Sequence, residues 1–411
     1  MTKIWFYIAC LACFMIACLD NKQAEVKGVT TIDVAGAMEN PVELKLSELV
    51  KDVRYIPLET TDSCLIGNHP NLLLLNHQIA VYTNKDCLLF NKSNGKFICK
   101  VGHRGDDPEA YTSPQPIYNG VDGLLYFRRS PAAMQKYDLQ GNYKGKIELP
   151  STPASPSDVL FTDSFNVGFY NSLAQQYNAR LLVFFDNNGT EIDTIPALSP
   201  VLPEKKMADI ANISIMKRGL AGFLLTHFKD GGVSAGISGI PFLWEQDGLV
   251  RLKENFNDTV YTVTREKLIP SIVFSTGKWS WGPEARTDPE DSESRLLMTT
   301  VFETDQFVFF QCTRSAYSDK PIVYNGVYDR NTGLTRICEE DKNFTDDLTN
   351  FLPFSPKTCS AKGEFGSIIG SDKIMEWFEE HPEEVKNEKI AALKSITEES
   401  NPVVAITVPK E

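Results

Sequence analysis

One short phrase recurs along this chain at nearly fixed spacing, and it restricts the fold more than any other feature: an apolar strand, an Asn- or Asp-rich turn ending in glycine, and a second strand. The clearest copy is Cys87-Leu88-Leu89-Phe90, then Asn91-Lys92-Ser93-Asn94-Gly95, then Lys96-Phe97-Ile98-Cys99-Lys100-Val101. Two β runs around Asn-Gly make a hairpin, because both turn residues tolerate positive φ. The phrase returns from Met134 to Ile147 around Gly141, from Leu182 to Ile192 around Gly189, and from Val327 to Ile337 around Gly333. Gly95, Gly141 and Gly189 stand 46 and 48 residues apart. That is the length of a four-stranded propeller blade, well beyond the roughly 8 to 12 residue strand spacing of a sandwich. A further hairpin, Thr259–Val263 to Leu268–Phe274, lacks the glycine and takes a blade of its own. A sixth blade would join N-terminal strands near Val29–Val34 and Val53–Leu58 to the C-terminal strand Val403–Val408, closing the ring and removing its open edges. The expected fold is all-β, a six-bladed β-propeller over residues 29–411 with a short helical insertion at 371–395. Within that insertion Ile374, Trp377 and Phe378, then Val385, Ile390 and Leu393, fall at helical spacing, and Pro382 separates two helices. They read as packing against the outside of the last blade, with partner docking as the alternative.

The first twenty residues set the address. Lys3, the apolar run Ile4–Ile16 and Met15-Ile16-Ala17-Cys18 read as a lipoprotein signal peptide over 1–17, with Cys18 as the lipidated N-terminus and 18–28 as a flexible tether. The protein is then expected to be lipid-anchored in the cell envelope, at the outer membrane. A single acid, Asp20, follows Cys18 instead of an acidic cluster, which favours the periplasmic face over the surface. Forty-two per cent hydrophobic residues over 411 provide for a large core. A formal charge of −13 argues against nucleic acid as a partner, since binding phosphates needs a basic face. Six cysteines remain in the body; Cys87 and Cys99 lie on opposite arms of one hairpin, so a disulfide there and free buried thiols are both open.

No HExxH, no G-x-S-x-G elbow and no P-loop is present, and the five histidines are scattered. The densest polar group is one loop, His103, Arg104, Asp106, Asp107, Glu109 and Tyr111, where a carboxylate pair beside a histidine could hold a cation; solvated turn chemistry is the plainer account. Trp279 and Trp281, one residue apart, would share a face if they lay on a strand and could stack a sugar ring, or else pack between blades. These eight residues are the candidate ligand contacts, with no catalytic or metal residue assigned.

The chain also resembles the six-bladed β-propeller lipoproteins of Bacteroides-type bacteria, relatives of NHL and TolB-like propellers. The resemblance rests on Tyr55-Ile56-Pro57-Leu58-Glu59-Thr60 after Leu46-Ser47-Glu48-Leu49-Val50, on Gly95-Lys96-Phe97-Ile98, on Gly102 to Tyr111, on Phe256-Asn257-Asp258-Thr259-Val260-Tyr261 and on Asn401-Pro402-Val403-Val404. Where that family has G-x-G-P-G-E-Y, this chain inserts an Asp pair and loses the second glycine. The resemblance implies fold and address, and no catalytic residues. The expected function is a monomeric ligand- or partner-binding module for a glycan, peptide or envelope protein, with a lyase or hydrolase site in the channel as the alternative. No cofactor is expected, calcium being the one left open.

Overall fold

Every copy of the turn phrase becomes the outer hairpin of a sheet. The structure is a computed structural model and describes residues 28–150, 156–170, 180–198, 207–288, 292–342, 344–382 and 387–410. The signal segment 1–17 and Cys18 lie outside the described residues.

Six sheets of four strands or more follow one another along the chain, each running from an inner strand to an outer one. Sheet 1 is Asn71–Leu74, Gln78–Tyr82, Cys87–Asn91 and Phe97–Lys100. Sheet 2 is Pro116–Asn119, Leu124–Arg129, Ala133–Tyr137 and Tyr143–Glu148. Sheet 3 is Asp158–Phe161, Asn166–Phe169, Arg180–Phe185 and Glu191–Pro196. Sheet 4 is Leu243–Gln246, Leu249–Lys253, Thr259–Val263 and Leu268–Ser275. Sheet 5 is Leu296–Glu303, Phe307–Arg314, Ile322–Asp329 and Leu334–Glu339. Sheet 6 takes Thr358–Cys359, Phe365–Ile369 and Val403–Pro409 from the C-terminal part and Val50–Pro57 from the N-terminal part.

Apolar clusters between adjacent sheets join them in a cycle. Leu89 and Phe127 belong to the cluster between sheets 1 and 2, Met134 and Phe161 to that between 2 and 3, and Phe169 and Leu252 to that which joins 3 and 4. Phe274 and Phe310 join 4 to 5, Phe309 and Phe365 join 5 to 6, and Val404 and Phe90 join 6 back to 1. The fold is a β-propeller, and its two chain ends meet in one sheet, where Val53 pairs with Thr407 and Ile56 with Val404. Asn401 fastens this closure: its side-chain amide donates to Glu59 O (2.6 Å) and Cys64 O (2.8 Å) and accepts from Ile66 N (2.9 Å).

The turn phrase has a packing reason as well as a conformational one. Gly95 has φ +71, and a Cβ there would lie 2.0 Å from Pro57 O of the preceding sheet. Gly189 repeats the arrangement, its Cβ position 1.6 Å from Glu148 O. These two hairpin tips are thus pressed against the end of the previous outer strand, where no side chain fits.

Three expectations are corrected. Thr30–Asp33 does not join the terminal sheet but adds to sheet 4 as a fifth strand, parallel to Leu268–Ser275, because that edge is open and Ile32 and Val34 can be buried beside Phe274. A seventh sheet, the three-stranded Ile210–Arg218, Ala221–Phe228 and Val233–Ser238, was not anticipated. This crown lies between sheets 3 and 4 in sequence and shares their apolar cluster through Phe223 and Ile237, while Asp158 of sheet 3 accepts directly from Leu243 N of sheet 4 (3.0 Å). Trp279 and Trp281 are not on a strand but in and just after the short 3-10 turn Gly277–Trp279. In the described residues Cys87 and Cys99 are free thiols; the register sets Cys99 opposite Leu89, out of line with Cys87.

The insertion forms the helices Ser371–Glu380 and Glu388–Ala391, the latter continuing as a 3-10 turn. Ile374, Trp377, Ile390 and Leu393, with Phe378 partly buried beside them, pack with Phe351 and Val403 against sheet 6; Val385 lies outside the described residues.

Candidate central cavity

The inner strands of all six sheets border one cavity of about 1310 Å³, partly covered by the crown. A propeller puts the first strand of each sheet nearest its axis, so residues far apart in sequence share one wall. The crown leads straight into Leu243, so it covers the end where the inner strands begin. Its first hairpin is pinned there: Arg218 donates to Ala316 O (2.6 Å) and Ser318 O (2.8 Å), and Leu220 N donates to Gln311 Oε1 (2.9 Å).

The cavity wall is charged unevenly. At the crown end stand His69, Arg128, Lys217 and Lys357; past the far ends of the inner strands stand Asp163, Asp247 and Asp305. Two carboxylates in the wall are structural. Asp158 accepts from Phe242 N (2.8 Å) and Leu243 N (3.0 Å), binding sheet 3 to sheet 4. Burial raises its pKa, and these amides and Arg128 oppose the rise. Glu303 accepts from Trp244 Nε1 (3.1 Å) and pairs with Arg330 and Arg251, so its charge is neutralised inside the protein. Arg128 is likewise engaged, its guanidinium donating to Pro156 O and to Ser157 O (2.6 Å).

Lys217 and Lys357 are not engaged in this way. Both side chains are exposed to the cavity, and among the described residues neither ammonium has a hydrogen bond or an ion pair within 4.0 Å. Partial burial lowers the Lys357 pKa; Glu340 opposes that, and the charge of Lys217 adds to it. Aromatic side chains Tyr82, Tyr118 and Trp244 are half-buried in the same wall.

The loop singled out in the sequence lies elsewhere, between sheets 1 and 2, and does not border the cavity. Its backbone carbonyls are saturated from sheet 2: Arg129 donates to Asp106 O (3.0 Å) and Asp107 O (2.6 Å), Gln135 to Pro108 O (2.8 Å), and Tyr137 to Glu109 O. His103 and Asp107 bond to each other at 2.5 Å, and this bond, with the amides of Glu109 and Ala110, holds the Asp107 pKa low. Tyr111 is fully buried, its hydroxyl donating to Val101 O (3.0 Å) and its ring stacked on Phe127 at 4.6 Å. Arg104 donates to Asn84 O. Asp106 and Glu109 are exposed. Trp281 is buried against Tyr317, while Trp279 packs toward a different cluster under the Lys278 ammonium, so the two rings share no face. No group of three or more His, Cys, Asp or Glu side chains suited to a metal ion occurs among the described residues, and no described helix is long and apolar enough to cross a membrane.

A family model described as Domain of unknown function (DUF4934) matches residues 29–408. No curated protein matches the chain. A Bacteroides fragilis protein described as exported is 15% identical with a TM-score of 0.65, over 93% of this chain and 100% of that one, so the fold is shared along nearly the whole of both. BamB from Moraxella catarrhalis (8% identity, TM-score 0.33, 88% of this chain and 99% of that one) and the WD40 repeats of RRP9 (12%, 0.40, 89% and 99%) are similar only at a level that carries no argument.

Proposed function

The chain belongs to the DUF4934 family, and on that footing we propose that it is a binding module of the cell envelope that takes a glycan or peptide ligand into the central cavity. The observation that carries this reading is the wall itself: one cavity of about 1310 Å³ collects side chains from six sheets and the crown, with charged and aromatic groups turned into it. Pockets that fix small ligands combine an apolar lining with a few placed polar groups in this manner. The ring is read as six-bladed, with residues 210–238 as a crown and not a seventh blade; the bond from Leu243 N of sheet 4 to Asp158 of sheet 3 supports this. The export signal supports an envelope location, with Cys18 lipidated and the chain held at the outer membrane, on its periplasmic face, as a monomer. The exposed acids of the 103–111 loop, Asp106 and Glu109, are placed to add a contact outside the cavity, not within it.

Gly120 offers a clean test. It borders the cavity, its φ is not in the left-handed region, and the nearest atom to an added Cβ is Tyr118 Cε1 at 4.0 Å. Gly120→Trp should fold and fill part of the space. Calorimetric titration of a panel of tri- to hexasaccharides and tri- to hexapeptides should reveal ligands that bind the parent protein and lose at least about tenfold in affinity against the variant. Ligands that bind both proteins equally would remove the cavity from the mechanism.

A further inference from the structure

We infer that the ligand is an acidic oligosaccharide whose carboxylate sits between Lys217 and Lys357 at the crown end of the cavity. The inference rests on the cavity reading above and adds the chemical class. The two lysines come from unrelated parts of the chain, one from the tip of the crown's first hairpin and one from the residue before the inner strand Thr358–Cys359 of sheet 6. The fold therefore brings two cations to one wall and, among the described residues, gives neither ammonium an acceptor. Glu340 interacts at longer range with both Lys357 and Lys217 but bonds to Gln311 and forms no ion pair with either ammonium; burial raises its pKa against the pull of the two lysines. Two like charges on one wall raise the local positive potential, which a bound anion would relieve. The other basic groups at this end differ, since Arg128 is already spent on backbone carbonyls.

The far end makes the arrangement directional. Asp163, Asp247 and Asp305 follow the inner strands of sheets 3, 4 and 5, and would repel an anion presented there. An anionic group is then favoured at the crown. Along the same wall the half-buried rings of Tyr82, Tyr118 and Trp244 leave part of their apolar surface to the cavity, the kind of surface on which sugar rings stack, with the Trp244 ring fixed by its bond to Glu303.

The experiment uses the mature chain and three probe sets: trisaccharides of galacturonic, glucuronic and mannuronic acid, the neutral hexose trisaccharides of matching linkage, and tricarballylate as a ringless polycarboxylate. At least one acidic trisaccharide should bind about tenfold or more tighter than its neutral counterpart and than tricarballylate, with affinity falling as salt rises. Lys217→Gln and Lys357→Gln should each weaken it about tenfold, as loss of a charge-assisted hydrogen bond does, with the fold retained, because neither ammonium holds a hydrogen bond or ion pair among the described residues. Neutral sugars binding as well as acidic ones, lysine variants binding as the parent does, tricarballylate matching the sugars, or no acidic trisaccharide binding would each overturn the inference. Gly120→Trp separates the failures: if it still abolishes binding of a neutral sugar or peptide, the cavity reading stands and only the acidic class falls.

Discussion

Glycine at the hairpin tips carries two separable demands, and a pair of alanine substitutions measures each. Gly95 and Gly333 have the same φ, +71, and each ends the turn of an outer hairpin. A Cβ at Gly333 would meet nothing within 4 Å, whereas one at Gly95 would lie 2.0 Å from Pro57 O, 3.0 Å from Pro57 C and 3.2 Å from Ile56 Cγ2. Gly333→Ala therefore reports the left-handed backbone alone, about 1 to 2 kcal/mol. Gly95→Ala adds a displacement of roughly 1 Å, since carbon does not approach a carbonyl oxygen much closer than about 3 Å. That displacement falls on the strand that closes the ring. It must stretch Glu59 N to Gly95 O (2.9 Å) and Phe97 N to Glu59 Oε2 (2.7 Å). Each bond contributes about 1 kcal/mol, and loosened packing of Ile56 against Phe90 costs about as much again. The expected loss is about 4 kcal/mol for Gly95→Ala against 1 to 2 for Gly333→Ala. Urea unfolding followed by tryptophan fluorescence, with both variants measured beside the parent, reads the difference. Equal losses in the two variants would refute the claim that hairpin tips bear on the preceding sheet.

Two further outcomes are expected. Lys253 is buried, its ammonium donating to Glu254 O (2.9 Å), and burial lowers its pKa from 10.5 to about 8 against the opposing pull of Asp258 and Glu254. The unfolded chain then holds this proton up to about pH 10.5 and the folded chain releases it near 8, so this group's contribution to stability rises with pH across that window, by about 3 kcal/mol in all. The stability of the parent relative to Lys253→Met should climb accordingly between pH 7 and 10.5 in urea titrations, and a difference independent of pH would sink the assignment. For the anchor, Cys18→Ala should move the protein from the membrane fraction to the soluble fraction of cells; retention in the membrane would rule out lipidation at Cys18.

The ring was legible in the sequence because its repeating contact needs a residue without a side chain. Gly95, Gly141 and Gly189 are fixed by positive φ and by the oxygen of the preceding strand, so the fold wrote its period into one residue type. The C-terminal closure was legible for a similar reason: Val403–Pro409 can be buried only against a partner strand, and Val50–Pro57 supplies it. The crown carried a weaker signal. Its second turn, Lys229-Asp230-Gly231-Gly232, is an Asp-Gly hairpin turn, with Gly231 at φ +86, but nothing packs on that glycine and Ile213 and Ile215 stay exposed, so neither period nor burial pointed to a sheet.

The site was hidden by the same geometry that made the fold visible. Polar residues crowded in one loop, such as His103 to Glu109, look functional in a sequence, yet crowding lets them satisfy one another and their neighbours: Asp107 takes His103 and two backbone amides, and Arg129 fastens the loop by its carbonyls. The binding groups proposed here meet the opposite condition, a charge with no hydrogen bond or ion pair to hold it and turned toward enclosed space. Lys217 and Lys357 do so only because the ring brings residues 140 positions apart to one wall, and nothing near either lysine in the sequence marks it. In a closed ring of sheets, local density of polar residues therefore points to loop structure, and function has to be sought among isolated charges at the ends of inner strands.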